Sequence, residues 1–120
     1  MSAAVDVLLI EDEPSIAEAI RFVLTRDGWR CDAWSQGTGA IERIRLLQPR
    51  LVVLDLMLPG RSGAELLSDL RADPELRDLP VLLLSACGSD DLPAQADRWL
   101  AKPFANADLR AAVRDLLGAP

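Results

Sequence analysis

Four of the short apolar runs in this chain end on charged or polar side chains that could take part in chemistry. Glu11 and Asp12 follow the first run, Asp55 follows the third, Ser85 the fourth and Lys102 the fifth. A carboxylate buried within a sheet is costly, whereas one at a strand end can face a crevice. In an open parallel sheet, the carboxyl ends of the strands form the crevice that binds ligands. These residues are therefore the candidates for function, provided that the runs are parallel strands.

The three carboxylates among them predict a cation site. Neighbouring carboxylates repel one another unless a cation lies between them, and a site with only oxygen ligands suits Mg²⁺ or Mn²⁺. Asp12 and Asp55 are expected to bind the ion directly, and Glu11 through water. The backbone carbonyl of Met57, just past Asp55, is expected to add a further oxygen.

A cation at this place also favours phosphoryl transfer, because it neutralises charge on the group being transferred. Asp55 is then placed as the carboxylate nucleophile that forms an aspartyl-phosphate. Lys102 is expected to pair with one phosphate oxygen, and Ser85 to donate a hydrogen bond to another. Asp55, Lys102 and Ser85 are thus the predicted catalytic residues.

The elements that must position these residues alternate along the chain between strands and helices. Residues 51–55 form an apolar run ending on Asp55 and followed by Pro59-Gly60, which is typical of a strand buried on both faces. Strands are predicted at 5–10, 29–34, 51–55, 81–84 and 99–101, and helices between 16 and 27, 37 and 48, 62 and 73, and 106 and 118. This alternation predicts βαβ units, a parallel sheet with helices on both faces, and one domain over residues 1–120.

Residues that favour N-caps mark the predicted helix starts. Ser62 with Glu65 has the spacing of a capping box, and Asn106 is predicted to cap the last helix. Ser15 with Glu18 has the same spacing, but Pro14 could equally occupy the first turn. The first helix therefore has two alternative starts.

Composition excludes several classes of function. The chain has 120 residues, 50% of them apolar, a net charge of -6 and no histidine. The negative charge disfavours a nucleic-acid surface, and the absence of histidine excludes His-ligated zinc and a Ser-His-Asp triad. No apolar run has the length of a membrane span. Cys31 and Cys87 lack metal-ligand spacing and are interpreted as free thiols in the cytoplasm.

Four motifs in this order resemble the receiver domain of bacterial two-component response regulators. They are Leu-Leu-Ile-Glu-Asp-Glu-Pro (8–14), Leu-Asp-Leu-Met-Leu-Pro-Gly (54–60), Leu-Leu-Leu-Ser-Ala (82–86) and Lys-Pro-Phe (102–104). The resemblance covers essentially the whole chain. It implies a flavodoxin-like (CheY-like) α/β fold, doubly wound, with a five-stranded parallel sheet in the order 2-1-3-4-5.

The resemblance also implies a phosphoacceptor signalling switch. A histidine kinase or phosphotransfer protein would phosphorylate Asp55 in the presence of Mg²⁺. The domain would promote only its own phosphorylation and dephosphorylation, and is not expected to be an enzyme. In the family, the hydroxyl at the position of Ser85 moves toward the phosphate, and the aromatic residue at the position of Trp99 changes rotamer. The Lys102-Pro103 bond is expected to be cis.

The sequence departs from the family pattern between Ser85 and Lys102, where the interval is shorter than in relatives. Residues 88–93 disfavour a helix, so the fourth helix is predicted to be missing or reduced to a single turn. In relatives that helix, the fifth strand and the last helix form the face that contacts partners. The output face is therefore expected to be atypical. Trp34 also looks large for its position, and surface packing near the sheet edge is the expected reason.

Other functions stay open as alternatives. A receiver-like adaptor would bind partners independently of phosphorylation, which a short fourth helix favours. A small aspartyl-phosphate phosphatase would need a second carboxylate two residues after the nucleophile, where this chain has Met57. A flavin-binding domain would cradle a phosphate in the loop after the first strand, but Glu11-Asp12-Glu13-Pro14 is acidic and would repel it.

Overall fold

Five parallel strands form the centre of the molecule, in the order β2-β1-β3-β4-β5. The computed structural model describes residues 5–86 and 95–118. In chain order the elements are β1 (Val7–Ile10), α1 (Pro14–Arg26), β2 (Cys31–Trp34), α2 (Ala40–Leu47), β3 (Leu51–Asp55), α3 (Gly63–Ala72), β4 (Val81–Ala86), β5 (Arg98–Lys102) and α4 (Asn106–Leu117). The predicted α/β fold, its parallel sheet and its strand order are confirmed.

Helices cover both faces of this sheet because the central strands are apolar on both sides. Leu9 and Val53 lie in a buried cluster on one face with residues of α1 and α4. Ile10 and Leu54 lie in a second cluster on the other face with residues of α2 and α3. Successive side chains of a strand alternate between faces, so each central strand supplies both clusters. This packing fixes the carboxyl ends of β1 and β3.

The first helix, α1, begins at Pro14, and Glu13 is its N-cap residue. Ser15 lies inside the helix, where its hydroxyl donates a hydrogen bond to Oε1 of Glu13 at 3.1 Å. Of the two alternative starts, the one with Pro14 in the first turn is correct. Proline fits this position because the first turn of a helix needs no backbone N–H donor.

The later helix starts confirm one predicted cap and correct another. The backbone N–H of Glu65 donates to Oγ of Ser62 at 3.2 Å, and the N–H of Ser62 donates to Oε1 of Glu65 at 3.5 Å, which completes the predicted capping box. The prediction that Asn106 caps the last helix is wrong. Helix α4 begins at Asn106 itself, and Ala105, whose backbone is extended, is the N-cap residue.

β1, β2 and α2 are shorter than the pattern predicts, and β1 begins at Val7 rather than at residue 5. The backbone N–H of Trp29 donates to the carbonyl of Leu24 at 3.0 Å. Trp29 therefore belongs to the turn that ends α1, although the alternation predicts it as the first residue of β2. The strand begins at Cys31. Helix α2 begins at Ala40 rather than at residue 37 because Gly39 has a left-handed φ of 80° and serves as the N-cap.

The helix predicted to be missing or shortened falls between β4 and β5. Residues 87–94 of that interval lie outside the described residues, so this part of the prediction stays a prediction. Residues 95–97, which are described, form a turn and bends.

Arg71 on α3 anchors this turn to the rest of the domain. Its Nε donates to the carbonyl of Gln95 at 2.9 Å, and Nη1 donates to the carbonyl of Leu79 at 2.7 Å. Nη2 lies 2.9 Å from Oδ2 of Asp97, which also accepts a hydrogen bond from the N–H of Val81 at 2.8 Å. The guanidinium group thus joins α3, the start of β4 and the approach to β5.

The helices are short. The longest among the described residues is α1, with 13 residues, and none of them combines the length and apolarity needed to cross a bilayer.

Candidate functional site

The carboxyl ends of β1 and β3 bring Glu11 and Asp55 side by side. Ile10 pairs with Leu54 in the parallel register, so Glu11 and Asp55 are the next residues on neighbouring strands. Backbone hydrogen bonds continue past the strand ends, from the N–H of Glu11 to the carbonyl of Trp34 at 3.0 Å. The two carboxyl groups are therefore held by the sheet itself rather than by a mobile loop.

Lys102 joins these two carboxylates. Its Nζ donates to Oε1 of Glu11 at 2.8 Å and to Oδ2 of Asp55 at 3.1 Å. Glu11 is only 2% exposed and Asp55 only 4%. Buried charges need an opposite charge and hydrogen bonds to offset their lost hydration. The ammonium group of Lys102, at the end of β5, meets this need for both.

Three carboxylates converge at the same place. Oxygens of Glu11, Asp12 and Asp55 all lie within 4.8 Å of one another. Two of these groups also accept backbone hydrogen bonds, from the N–H of Met57 to Oδ1 of Asp55 at 3.1 Å and from the N–H of Glu13 to Oε2 of Glu11 at 3.2 Å. The donor set is entirely oxygen and carries more negative charge than one lysine balances. These residues therefore fit a hard divalent cation such as Mg²⁺.

The electrostatics of the cluster shift two pKa values. Burial raises the pKa of Glu11 to about 7, and the neighbouring Asp55 adds to this rise, while Lys102 opposes it. For Lys102, burial lowers the pKa, but the hydrogen bonds to Glu11 and Asp55 outweigh burial and raise it. The lysine is thus firmly cationic at neutral pH, and Glu11 titrates near neutrality.

A cavity of about 720 Å³ opens beside the cluster. Its charged part includes Asp12, Asp55 and Lys102, and its apolar wall comes from α1, the segment after β5 and α4: Ile16, Ala19, Ile20, Phe104 and Leu109. The charged residues of such a cavity can bind an anionic group next to Lys102, while the apolar residues contact a larger partner that carries this group.

Three predicted residues remain. Ser85 and Trp99 lie in the sheet and do not line this cavity, whereas Met57 lies in the segment after β3 and does line it. Asp55 pairs with Leu84 and Ser85 pairs with Ala101, so Ser85 lies one residue before the end of β4, the strand between Asp55 and Lys102. Ser85 is buried. Met57 is 72% exposed and lines the cavity, and Trp99 on β5 is 39% exposed.

Sequence patterns alone missed two features of the site. Lys102 is expected on a phosphate oxygen, whereas here it contacts Glu11 and Asp55. The apolar wall was also missed, because Ile16 and Ile20 have the spacing of ordinary core residues. The predicted cis peptide bond between Lys102 and Pro103 is present.

Comparison with known proteins assigns the family. Residues 7–114 match the model of the response regulator receiver domain. The chain is 35% identical over 116 residues to phosphate regulon transcriptional regulatory protein PhoB of Rhizobium meliloti strain 1021, covering 92% of this chain and 51% of that protein. It is 36% identical over 113 residues to DNA-binding response regulator MtrA of Mycolicibacterium smegmatis, covering 90% of this chain and 48% of that protein. The chain spans about half the length of these curated relatives.

Solved structures of receiver domains share the fold. The receiver domain of sensor histidine kinase PA1611 from Pseudomonas aeruginosa PAO1, with a magnesium ion in its active site cleft, matches with a TM-score of 0.88 and 26% identity over 98% of this chain and 100% of that chain. The receiver domain of Francisella response regulator 1452 matches with a TM-score of 0.84 and 29% identity over 92% of this chain and 94% of that chain. This chain therefore belongs to the response regulator receiver domain family.

Proposed function

We propose that this domain is the phosphoacceptor switch of a two-component phosphorelay and that Asp55 accepts the phosphoryl group. The observation that carries the proposal is the position of Lys102, whose Nζ contacts both Glu11 and Asp55 at 2.8 and 3.1 Å. A nucleophilic carboxylate beside a fixed cation is the arrangement that phosphoryl transfer requires.

Asp55 is suited to attack phosphorus because its carboxylate is held from two sides. The N–H of Met57 fixes Oδ1 and Lys102 fixes Oδ2, each at 3.1 Å. A carboxylate oxygen forms the new bond to phosphorus while the bond from phosphorus to the donor atom breaks, and the donor atom keeps that electron pair. Lys102 then pairs with an oxygen of the transferred group, and the hydroxyl of Ser85 donates a hydrogen bond to another.

Asp12 and Asp55 would hold Mg²⁺ or Mn²⁺ directly, with Glu11 acting through water and the carbonyl of Met57 as a further ligand. When bound, the ion supplies neutralisation of charge on the transferred phosphoryl group. The cluster of three carboxylates supports this assignment. So does the magnesium ion in the cleft of the P. aeruginosa receiver domain.

The donor of the phosphoryl group is proposed to be a histidine kinase or a phosphotransfer protein, and the chemistry is confined to phosphorylation and dephosphorylation of this domain. Trp99 on β5, which is 39% exposed, is proposed as a switch residue, because it occupies the position of the aromatic residue that changes rotamer in the family. A downstream protein partner is proposed for the face formed by β5 and α4. Neither nucleic-acid nor membrane binding is proposed for this domain, and its expected location is the cytoplasm.

The test is incorporation of phosphate from acetyl phosphate, followed by intact mass spectrometry. The wild-type domain is expected to gain the mass of one phosphoryl group in the presence of Mg²⁺ and none in the presence of a chelator. Asp55→Asn should abolish the gain because an amide is a poor nucleophile. Asp78→Asn is the matched control, since Asp78 is exposed and lies before the amino end of β4.

Equal phosphate incorporation by Asp55→Asn and wild type would contradict the assignment of the phosphoacceptor. Absence of incorporation in wild type, together with equal partner affinity for wild type and Asp55→Asn, would instead support the adaptor alternative.

A further inference from the structure

Trp34, at the end of β2, organises the loop that follows it. Its Nε1–H donates to the carbonyl of Thr38 at 2.9 Å. The guanidinium group of Arg43 lies over the indole ring, 4.6 Å from its centroid. Gly39 lies so near that an added Cβ would be 3.1 Å from the ring. The β2–α2 loop, residues 35–39, is thus wrapped around this side chain.

The β2–α2 loop in turn contacts the β3–α3 loop, residues 56–62, which follows Asp55. The N–H of Gly37 donates to the carbonyl of Pro59 at 3.0 Å. A Cβ added at Gly37 would overlap the carbonyl oxygen of Arg61, and one added at Gly60 would overlap the hydroxyl of Thr38. The two loops therefore meet closely. The backbone of Arg61 leaves no space for a side chain at Gly37, and the side chain of Thr38 leaves none at Gly60.

The β3–α3 loop has its other backbone attachments at its base. The N–H of Leu56 donates to the carbonyl of Leu84 at 2.9 Å, and the N–H of Gly63 donates to the carbonyl of Leu56 at 2.9 Å. Met57 lies between this base and the tip that the β2–α2 loop holds. Its N–H contacts Oδ1 of Asp55 at 3.1 Å. A shift of the loop tip would therefore change the position of the Met57 backbone relative to Asp55.

We propose that Trp34 is a positioning residue for the phosphoacceptor site, acting through the β2–α2 loop on Met57. This inference rests on the proposed function, because it concerns the Mg²⁺ ligand that Met57 would supply. Mg²⁺ demands near-ideal octahedral geometry, and a ligand already in place loses less conformational entropy on binding. Holding the loop tip thus strengthens Mg²⁺ binding without any contact between Trp34 and the ion.

The test compares Trp34→Phe with Trp29→Phe. The first change keeps an aromatic ring for Arg43 and removes the N–H that binds the carbonyl of Thr38. The second is the same chemical change at a buried tryptophan beyond the opposite end of β2. Two readouts are needed: hydrogen exchange of the peptide covering residues 56–62 in metal-free protein, and Mg²⁺ affinity by calorimetry.

Trp34→Phe is expected to speed exchange of this peptide and to weaken Mg²⁺ binding by about three- to tenfold, which corresponds to the net contribution of one hydrogen bond. Trp29→Phe should change neither, even if it lowers the melting temperature. Gly37→Ala should reproduce the effect of Trp34→Phe, because its methyl group pushes against Arg61. Gly118→Ala is its control for a loss of stability remote from the site, because the methyl group meets nothing within 4 Å but strains a backbone with a φ of 84°.

Unchanged exchange and unchanged affinity in Trp34→Phe, with wild type binding Mg²⁺, would overturn the positioning role and leave the proposed function intact. Equal effects in Trp34→Phe and Trp29→Phe would also overturn it, because they would indicate a general loss of stability. A wild-type domain that binds no Mg²⁺ would overturn both proposals.

Discussion

At the scale of single residues, the site is a balance between burial and charge. Glu11 and Asp55 are almost completely buried, and the ammonium group of Lys102 contacts both of them. One positive charge offsets only part of the negative charge of three converging carboxylates. The remaining repulsion acts on Glu11. Burial raises the pKa of this carboxyl group to about 7, and the neighbouring Asp55 adds to the rise.

This raised pKa predicts how stability depends on pH in the metal-free domain. The unfolded chain releases the Glu11 proton near pH 4.5, whereas the folded domain keeps it until about pH 7. The contribution of Glu11 to the free energy of unfolding is therefore fully present below pH 4.5 and is lost as the pH rises to about 7. Glu11→Gln, which cannot titrate, should remove this part of the pH dependence.

The measurement is urea unfolding of wild type and Glu11→Gln in a chelator, on both sides of this pH range. The quantity compared is the difference in unfolding free energy between wild type and variant. A difference that stays constant across the range would show that Glu11 titrates at its ordinary pKa.

At the scale of elements, strand ends position the charged groups of the candidate site, and the described residues that lead into β5 are irregular. β5 carries Lys102 into the site, yet the described residues before it form only a turn and bends. Arg71 replaces regular structure there by binding the carbonyls of Gln95 and Leu79 and the carboxylate of Asp97. Because these bonds converge on one planar guanidinium group, lysine cannot reproduce them.

Arg71→Lys is accordingly expected to lower the free energy of unfolding by about 1.5–3 kcal/mol, the range for losing hydrogen bonds to a charged group. Chemical denaturation measures this directly. Arg77→Lys is the control, since it makes the same substitution at an exposed side chain in the turn after α3. A loss in Arg77→Lys as large as that in Arg71→Lys would contradict the anchoring role.

At the scale of the whole molecule, burial of the apolar sheet stabilises the fold. The acidic residues at the edge of the sheet are therefore not needed for stability. Every residue of β1 and β3 is buried, and burial of apolar surface is the main favourable contribution to folding. Exposed ion pairs, such as Arg50 with Asp6 at 3.5 Å, contribute little by comparison. A fold stabilised in this way can keep mutually repelling carboxylates together at one edge.

Binding of Mg²⁺ should therefore stabilise the entire domain by relieving that repulsion. At 100 times its dissociation constant, a ligand that binds only the folded form adds about 2.7 kcal/mol. In a domain of this size, that addition raises the melting temperature by roughly ten degrees. Thermal unfolding with and without Mg²⁺ measures the shift.

Asp12→Asn should greatly reduce the shift, because it removes a proposed direct ligand, whereas Asp78→Asn should keep it. An equal Mg²⁺-dependent rise in wild type and Asp12→Asn would place the ion somewhere other than the carboxylate cluster.

Local patterns in the sequence were sufficient to predict the strands and the residues at their ends. Apolar runs, alternation and the capping box at Ser62 are properties of neighbouring residues, so one chain reveals them. The motifs that contain Asp12, Asp55, Ser85 and Lys102 indicated the family, and the family resemblance implied the strand order. The cap of α4 and the bounds of several elements, among them β1, β2 and α2, were misjudged. Features such as the backbone hydrogen bond of Trp29 and the φ of Gly39 do not appear in a periodicity.

The tertiary structure alone decided how distant residues meet. The contact of Lys102 with Glu11 joins residues 91 positions apart, and the contact between the β2–α2 and β3–α3 loops depends on the register of β1 between β2 and β3. The same is true of the apolar wall beside Asp55 and of the bonds that Arg71 makes. Such contacts depend on the twist and packing of the complete sheet, which no local pattern encodes.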